Sequence, residues 1–362
     1  MKFAIACGGT GGHLFPGLAV AEVLRGKGHE VLLFVSEKEI DNRALHNAPD
    51  IARETLPSIG LPPLFSPAVF SFAGRLRASY AKCLDVYRKF APDAVLGMGG
   101  FTSIAPLAAA WRRKIPAFLH DSNAIPGKAN RLGARFCHNV LLGFEECARH
   151  FAGRHVMVTG TPIRSELTAP ALSKSESRSR LGLDPGRTTL LVMGGSQGAA
   201  GINSLMAQAA VHLSSGSCQI VHLAGPRDEQ RVRGAYEAAG ITNLVMPFCD
   251  RMGEVYAAAD AVVSRSGAAS LGEISWFGLP SVLVPYPHAA EDHQRLNAEI
   301  FVRAGAAKML AENGATGDSL GALLASLLGS AVALESMAVA AKALAPRDAA
   351  GRVAAVLMDV KK

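Results

Sequence analysis

The sequence predicts an α/β protein of two doubly wound parallel-sheet domains, and three observations carry that expectation. The chain has 362 residues, 49% of them hydrophobic and 19% charged, which is too long for one comfortable core and too apolar for disorder or a coiled coil. An apolar run that leads into a glycine cluster and then a small-residue amphipathic stretch occurs twice. Short apolar runs alternate with helical patterns along the rest of the chain, as crossover helices between parallel strands require.

The first run, Phe3–Cys7, ends at Gly8-Gly9-Thr10-Gly11-Gly12 and gives way to a helical pattern from Leu14 to His29. Leu190–Met193 does the same at Gly194-Gly195-Ser196-Gln197-Gly198, before a helical stretch from Ile202 to Leu213. Each reads as a buried strand turning tightly into a helix whose free N–H groups face the turn, the usual anion site of such domains. Further strands are expected over 29–35, 94–97, 117–120, 139–142, 219–223, 243–248, 261–263 and 281–284. The junction is placed near Gly160-Thr161-Pro162-Ile163-Arg164, giving a first domain over 1–160 and a second over 161–347. The polar stretch Ser173–Arg180 is expected to be flexible, and a last helix over 348–360 is expected to pack back on the first domain. The N-terminal apolar run meets glycines too early for a signal peptide. The longest uncharged C-terminal stretch, Ser319–Leu334, has 16 residues, short of the roughly 20 that a spanning helix needs. A cytoplasmic chain without a transmembrane helix is expected.

The formal net charge of +7 suggests at first a nucleic-acid binder. Residues 1–160 hold 19 Lys and Arg against 12 Asp and Glu, whereas the remainder holds 18 of each, so the excess belongs to the first half. Residues 75–114 alone carry eight basic and two acidic side chains, which makes the charge a local patch. The six cysteines, Cys7, Cys83, Cys137, Cys147, Cys218 and Cys249, form no C-x-x-C pair, as expected of reduced thiols without a zinc site.

Neither glycine turn is a dinucleotide fingerprint, since Leu14 stands where the third glycine of G-x-G-x-x-G belongs, and no G-x-x-x-x-G-K-[ST] phosphate loop is present. Two anion-binding turns, expected to face each other across an interdomain cleft, suit one diphosphate donor and a second phosphorylated partner. Taken singly, each glycine cluster is equally explained by the tight turn it permits.

The motifs Gly8–Gly12 with His13-Leu14-Phe15-Pro16-Gly17, Leu96–Phe101, His120-Asp121-Ser122-Asn123, Gly160–Arg164, Gly194–Gly198, Arg265-Ser266-Gly267-Ala268 with Glu273, and Asp292-His293-Gln294 with Asn297 follow in order along most of the chain. Together they resemble the MurG family of GT-B glycosyltransferases. The resemblance implies two Rossmann-like domains and an inverting transfer of N-acetylglucosamine from UDP-GlcNAc. The acceptor implied is the 4-hydroxyl of the muramoyl sugar of lipid I, a polyprenyl-diphosphate-linked muramoyl-peptide. The product is lipid II for peptidoglycan, made at the cytoplasmic face of the inner membrane and bearing on cell shape and division.

The resemblance also implies roles for residues. The donor diphosphate lies near Ser196 with Arg164 adding charge, and Glu273 accepts from the two ribose hydroxyls. Read alone, Glu273 is more simply a first-turn helix carboxylate. Uracil is read by main-chain groups near Cys249, where the family usually has a branched aliphatic residue. Ala268, with Ala269, Ser270, Leu271 and Gly272 behind it, belongs to the donor turn, and His293, Gln294 and Asn123 meet the sugar. The family often has Glu-Gln before that Asn where this chain has Asp121-Ser122, so Asn123 alone is carried over. Thr10, Gly11 and Gly12 line the cleft, and His13 is the candidate base for the acceptor hydroxyl. An equally open reading has His13 binding phosphate or capping the helix. No cofactor is implied, and with no D-x-D in the chain metal-independent chemistry is expected.

The stretch 64–90 mixes Phe70, Phe72 and Leu76 with Arg75 and Arg77, and Trp111-Arg112-Arg113 repeats the theme. Alone it is an ordinary amphipathic helix with a solvated basic face. A lipid-held acceptor favours docking on an anionic leaflet, where each cation contributes about 1 kcal/mol. Nucleic acid is not expected, because the second half is neutral. Two alternatives remain: a GT-B transferase with another UDP-sugar and lipid acceptor, and a non-catalytic nucleotide-sugar binding protein.

Overall fold

The apolar runs read from the sequence are the inner strands, and one edge strand, of two parallel sheets in the computed structural model, which is described over residues 1–37, 50–57, 66–168, 172–195, 199–213, 218–345 and 347–360. The chain divides into two compact units, Met1–Ser165 with Pro346–Lys362, and Glu166–Ala345. The division thus falls after Ser165 rather than after Gly160, which places Arg164 in the first unit.

In the first unit β1 (Lys2–Ala6), α1 (Gly11–Gly26), β2 (Glu30–Ser36), β3 (Ala52–Leu56), α2 (Ala68–Phe90), β4 (Ala94–Gly97), α3 (Ile104–Arg112), β5 (Ala117–Asp121), α4 (Lys128–Gly133), β6 (Asn139–Leu142) and β7 (His155–Val158) follow one another. The sheet order is β3-β2-β1-β4-β5-β6-β7, parallel throughout. Helix α5 (Ser165–Thr168) spans the division. The second unit contains α6 (Lys174–Arg180), β8 (Thr189–Met193), α7 (Ala200–Ala209), β9 (Gln219–Leu223), α8 (Glu229–Ala238), β10 (Asn243–Met246), α9 (Met252–Ala258), β11 (Ala261–Ser264), α10 (Ala268–Phe277), β12 (Ser281–Leu283), α11 (His293–Arg303), β13 (Ala307–Met309), α12 (Gly317–Leu328) and α13 (Ala331–Ala343). Its parallel sheet is ordered β10-β9-β8-β11-β12-β13.

Strands covered on both faces must be apolar throughout, and β1, β4, β8 and β11 are buried along nearly their whole length. The strands absent from the sequence reading, β3, β7 and β13, all lie at sheet edges, where solvent relaxes that demand. Arg53 and Glu54 stand in β3, β7 is exposed at every residue, and β13 has only three residues.

The last helix, α14 (Ala349–Met358), returns to the first unit. Val353, Ala354 and Leu357 join the core formed by Leu14, Leu18, Leu24 and strand β1. Burying an aliphatic side chain of this size contributes about 2 kcal/mol, so the return is a substantial part of that unit's core. Among the described residues no single helix is long and apolar enough to cross a membrane; α12 and α13 qualify only together, bent by 91°.

The stretch expected to be flexible is instead ordered from Lys174 to Arg180 as α6. Ser173 Oγ accepts from the Glu176 N–H while the Glu176 carboxylate accepts from the Ser173 N–H, a complete capping box. Arg178 is buried, donates to the Ala258 carbonyl at 3.0 Å and pairs with Asp260 at 2.5 Å. The S-x-x-E spacing was the available signal, masked by the abundance of polar residues.

Candidate active site

Each sheet has one point where successive crossovers leave in opposite directions, between β1 and β4 in the first and between β8 and β11 in the second. Loops at the carboxyl ends of such strand pairs splay apart and leave room for a ligand. The glycine turns and the RSGA turn lie at these two points.

In the first unit Thr10 is the N-cap of α1, and its hydroxyl meets His13 Nδ1 at 3.1 Å instead of a helix N–H. Gly11 and Gly12 are the first residues of the helix, and His13 is half-buried. The imidazole leans on the turn after β4: a Cβ on Gly99 would stand 3.1 Å from His13 Nε2, and one on Gly100 would stand 3.1 Å from its Cε1. Both glycines have positive φ, 110° and 71°, so neither the backbone nor the space admits a side chain. Ser103 is buried beneath, accepting from Gly99 N–H at 3.1 Å and reaching the carbonyls of Gly99 and Ala6.

Strand β5 ends in His120 and Asp121, both buried. His120 Nε2 donates to the Gly160 carbonyl at 3.0 Å, and burial lowers its pKa to about 4, so the ring is neutral near pH 7. Burial raises the Asp121 carboxyl to about 6, against the hydrogen bonds from Asn123 and Asn130 that favour its charged form. Asn123 is half-buried and tied by its own N–H to Asp121 Oδ1 at 3.0 Å. The segment from Gly160 carries Arg164, whose guanidinium lies 4.5 Å from the Phe15 ring centroid on α1. Ser165 then donates to Glu22 of the same helix at 2.5 Å.

In the second unit Ser196 lies outside the described residues. Arg265 opens the turn after β11 and is buried, donating to the carbonyls of Val284 and Pro285 at 3.0 and 3.2 Å, and its guanidinium lies 5.4 Å from the Tyr286 ring centroid. Ser266 Oγ donates to the Gln294 carbonyl at 2.7 Å, and Asn297 Nδ2 donates to the Ser266 carbonyl at 3.0 Å. These bonds lock the turn to the start of α11. Gln294 Oε1 accepts from the Tyr286 N–H at 2.9 Å, and His293 Nδ1 donates to the Ala290 carbonyl at 2.8 Å. The approach to α11 is strained, since Glu291 and Asp292 both hold φ of 54°.

Helix α10 carries Ala268, Ala269, Ser270, Leu271, Gly272 and Glu273 in sequence, with Ala268, Leu271 and Gly272 buried. Glu273 falls in the second turn, so the first-turn carboxylate reading does not hold. Its Oε2 accepts from the hydroxyl of buried Tyr256 at 2.8 Å, and Tyr256 is stacked on Phe277. The carboxylate is thus held on one side and half-exposed on the other. Cys249, two residues past exposed Pro247, is half-buried, and burial raises its thiol pKa.

On α2 and α3 the structure separates the basic-aromatic residues. Phe70, Arg75, Arg77, Trp111, Arg112 and Arg113 are exposed. Phe72 and Leu76 are not fully presented: Phe72 meets Phe101 edge-on at 5.7 Å, and Leu76 packs on the core below the helix. Part of the local charge is also paired, Lys82 with Glu54 and Arg88 with Asp85.

Asn130, Ser103, Tyr256 and Tyr286 are the site residues that sequence reasoning did not single out, and Asp121 stands in its motif without an assigned role. Each acts through a partner distant in sequence, and a lone Asn or Tyr carries no signal of that partner.

Residues 3–142 match the glycosyltransferase family 28 N-terminal domain, and residues 189–353 match the family 28 C-terminal domain. Two relatives, from Pelobacter propionicus and Geobacter metallireducens, are named UDP-N-acetylglucosamine--N-acetylmuramyl-(pentapeptide) pyrophosphoryl-undecaprenol N-acetylglucosamine transferase. The first is 38% identical, covering 91% of this chain and 91% of the relative, and the second is 37% identical, covering 100% and 99%. The crystal structure of Acinetobacter baumannii MurG superimposes with a TM-score of 0.79 at 26% identity, covering 99% of both chains. The Medicago truncatula UGT71G1 structure, complexed with UDP-glucose, shares the fold alone, with a TM-score of 0.69 at 14% identity. The likeness extends over both units, and on it this chain belongs to the MurG family of glycosyltransferases.

Proposed function

We propose that this chain transfers N-acetylglucosamine from UDP-GlcNAc to lipid I, the undecaprenyl-pyrophosphoryl N-acetylmuramyl-pentapeptide, and so forms lipid II. The observation that carries the reading is near-complete coverage at 35–38% identity by relatives named for that transfer. The second unit holds the donor. Glu273, fixed by Tyr256, takes the ribose hydroxyls, main-chain groups around Cys249 take the uracil, and Ala268, His293 and Gln294 meet the sugar. Main-chain N–H groups by Ser196 carry the diphosphate, and Arg164 supplies a further cation. The first unit holds the acceptor, with Thr10, Gly11 and Gly12 lining its site.

His13 acts as the base in this reading. With its Nδ1–H donated to Thr10 Oγ1, Nε2 carries a lone pair and takes the proton of the 4-hydroxyl. The hydroxyl oxygen bonds to C1 of the donor sugar as the bond from C1 to the UDP oxygen breaks, and UDP leaves with the electron pair. Attack from the opposite face inverts C1. The charge on departing UDP falls on helix N–H groups and guanidinium, so no metal is needed.

The exposed Phe70, Trp111 and four arginines Arg75, Arg77, Arg112 and Arg113 dock the first unit on anionic lipid. The enzyme then works as a peripheral protein on the cytoplasmic face of the membrane. UDP release from UDP-GlcNAc, measured in EDTA with and without a lipid I analogue, tests the core of the proposal. Release that depends on the acceptor supports it. Turnover with another UDP-sugar but not UDP-GlcNAc favours the rival transferase, and binding without release favours a binding protein. Charge reversal at the four arginines is expected to abolish co-sedimentation with anionic liposomes; unchanged co-sedimentation removes the membrane role.

A further inference from the structure

The turn that supports His13 is itself held by a buried pair outside the motifs' assigned roles. Asn130 Nδ2 donates to Asp121 Oδ2 at 2.7 Å, and Asn130 Oδ1 accepts from the Gly100 N–H at 3.0 Å. Both side chains are buried, at 1% and 6% exposure, and so are unsuited to touching a large acceptor. Gly99 lies between the two groups that matter: a Cβ there would stand 2.9 Å from Asn130 Nδ2 and 3.1 Å from His13 Nε2. The second oxygen of Asp121 is occupied by the Asn123 N–H, so the carboxylate cannot rotate away without losing a bond. Every polar atom of the Asn130 amide plane therefore has one task, and the turn it fixes is the surface on which the imidazole rests.

We infer that Asp121 and Asn130 are positioning residues for the transfer, which set the Gly99-Gly100 turn and through it the orientation of the His13 imidazole. The inference rests on the reading of His13 as a working group of the acceptor site. Proton transfer requires the base within hydrogen-bond reach of the hydroxyl, and a misplacement of 1 Å costs about 100-fold in rate. Asn130→Ala releases the Gly100 N–H and leaves space beside Gly99, so kcat is expected to fall by about 100-fold. The donor KM should stay within about twofold, because the donor residues of the second unit make none of these bonds.

The test is a set of steady-state measurements on the full-length chain with UDP-GlcNAc and a lipid I analogue, with thermal unfolding as the folding control. Asn130→Asp opposes two carboxylates and should behave like Asn130→Ala. Combining it with Asp121→Asn restores a donor facing an acceptor, and leaves an oxygen for the Gly100 N–H and another for the Asn123 N–H. This exchanged pair should recover most of kcat. In the His13→Ala background Asn130→Ala should cost at most a further twofold, since its route to the reaction is already gone. Full multiplication of the two losses, or a donor KM that rises with the fall in kcat, would overturn the inference while leaving His13 in place. If His13→Ala itself leaves kcat unchanged, the reading of His13 fails and the inference falls with it.

Discussion

The two switch points solve different problems with different materials. The first buries polar side chains, His120, Asp121, Ser103 and Asn130, beneath two glycines and an imidazole. The second uses Arg265 to gather peptide carbonyls and holds Glu273 by a hydrogen bond from Tyr256. The contrast follows from the roles proposed for the two points. A base has to lie within hydrogen-bond reach of a proton and hold that place to within a fraction of about 1 Å, which calls for an over-determined support. A nucleotide is recognised by several separate hydrogen bonds, and each needs only its own partner in place.

The comparison breaks most sharply at His13. His13→Ala is expected to lower kcat by about 10²- to 10⁴-fold, the range of general base catalysis, with the donor KM little changed. A parallel loss in kcat and in UDP-GlcNAc affinity would instead mean that His13 binds phosphate. At the second point the effect should invert. Glu273→Ala removes two charge-assisted bonds of about 1.5 kcal/mol each, so the donor KM should rise by about 100-fold while kcat at saturation changes far less. A KM unmoved by Glu273→Ala would place the ribose elsewhere.

How far the sequence discloses each region follows from the same contrast. The inner strands are legible because burial on both faces forces continuous apolar runs, and the glycine turns because no other residue tolerates their backbone and space. Edge strands β3, β7 and β13 are not, since solvent on one side lifts the constraint, although the edge strand β10 keeps an apolar run. The motif residues Glu273, Gln294 and Asn123 are legible only through resemblance. Their supports Tyr256 and Asn130 escape even that, because a hydrogen bond between residues nine or seventeen apart leaves no local pattern. The helix at Ser173–Arg180 is the reverse case, a local signal present and overlooked beneath a polar composition.

Acid should separate the units as well. In the second, burial lowers His222 to about 3, and Asp228, bonded to Asn203, also sits below its usual value. Both stabilise the fold at neutral pH, and that stabilisation is lost as pH falls, through His222 from its unfolded value of 6.5 downward. In the first, His120 at about 4 loses stability in the same way, but Asp121 is raised to about 6 and gains stability as pH falls from there to its unfolded value. At pH 5 linkage gives about 2 kcal/mol lost from His222, against under about 1 kcal/mol net from the opposed pair. Hydrogen exchange at pH 5, corrected for intrinsic rates, should therefore show β8, β9 and β11 losing protection before β1, β4 and β5. The opposite order would mean that His222 is not kept neutral by its burial.

The smallest effect tests the tether itself. Tyr256 is buried, stacked on Phe277 and bonded to Glu273, so Tyr256→Phe removes one hydroxyl and preserves the ring packing. A single hydrogen bond of this kind is worth about 1 kcal/mol, or about fivefold in an equilibrium constant. If the hydroxyl aims the carboxylate, that loss should appear in the donor KM and in the affinity for UDP, both of which require the ribose contact. It should be absent from kcat at saturation, and absent in the Glu273→Ala background, where nothing remains to aim. A loss of thermal stability with an unchanged KM would assign the hydroxyl to packing. The donor carboxylate would then hold its place without that hydroxyl, and the tether would carry no part of donor recognition.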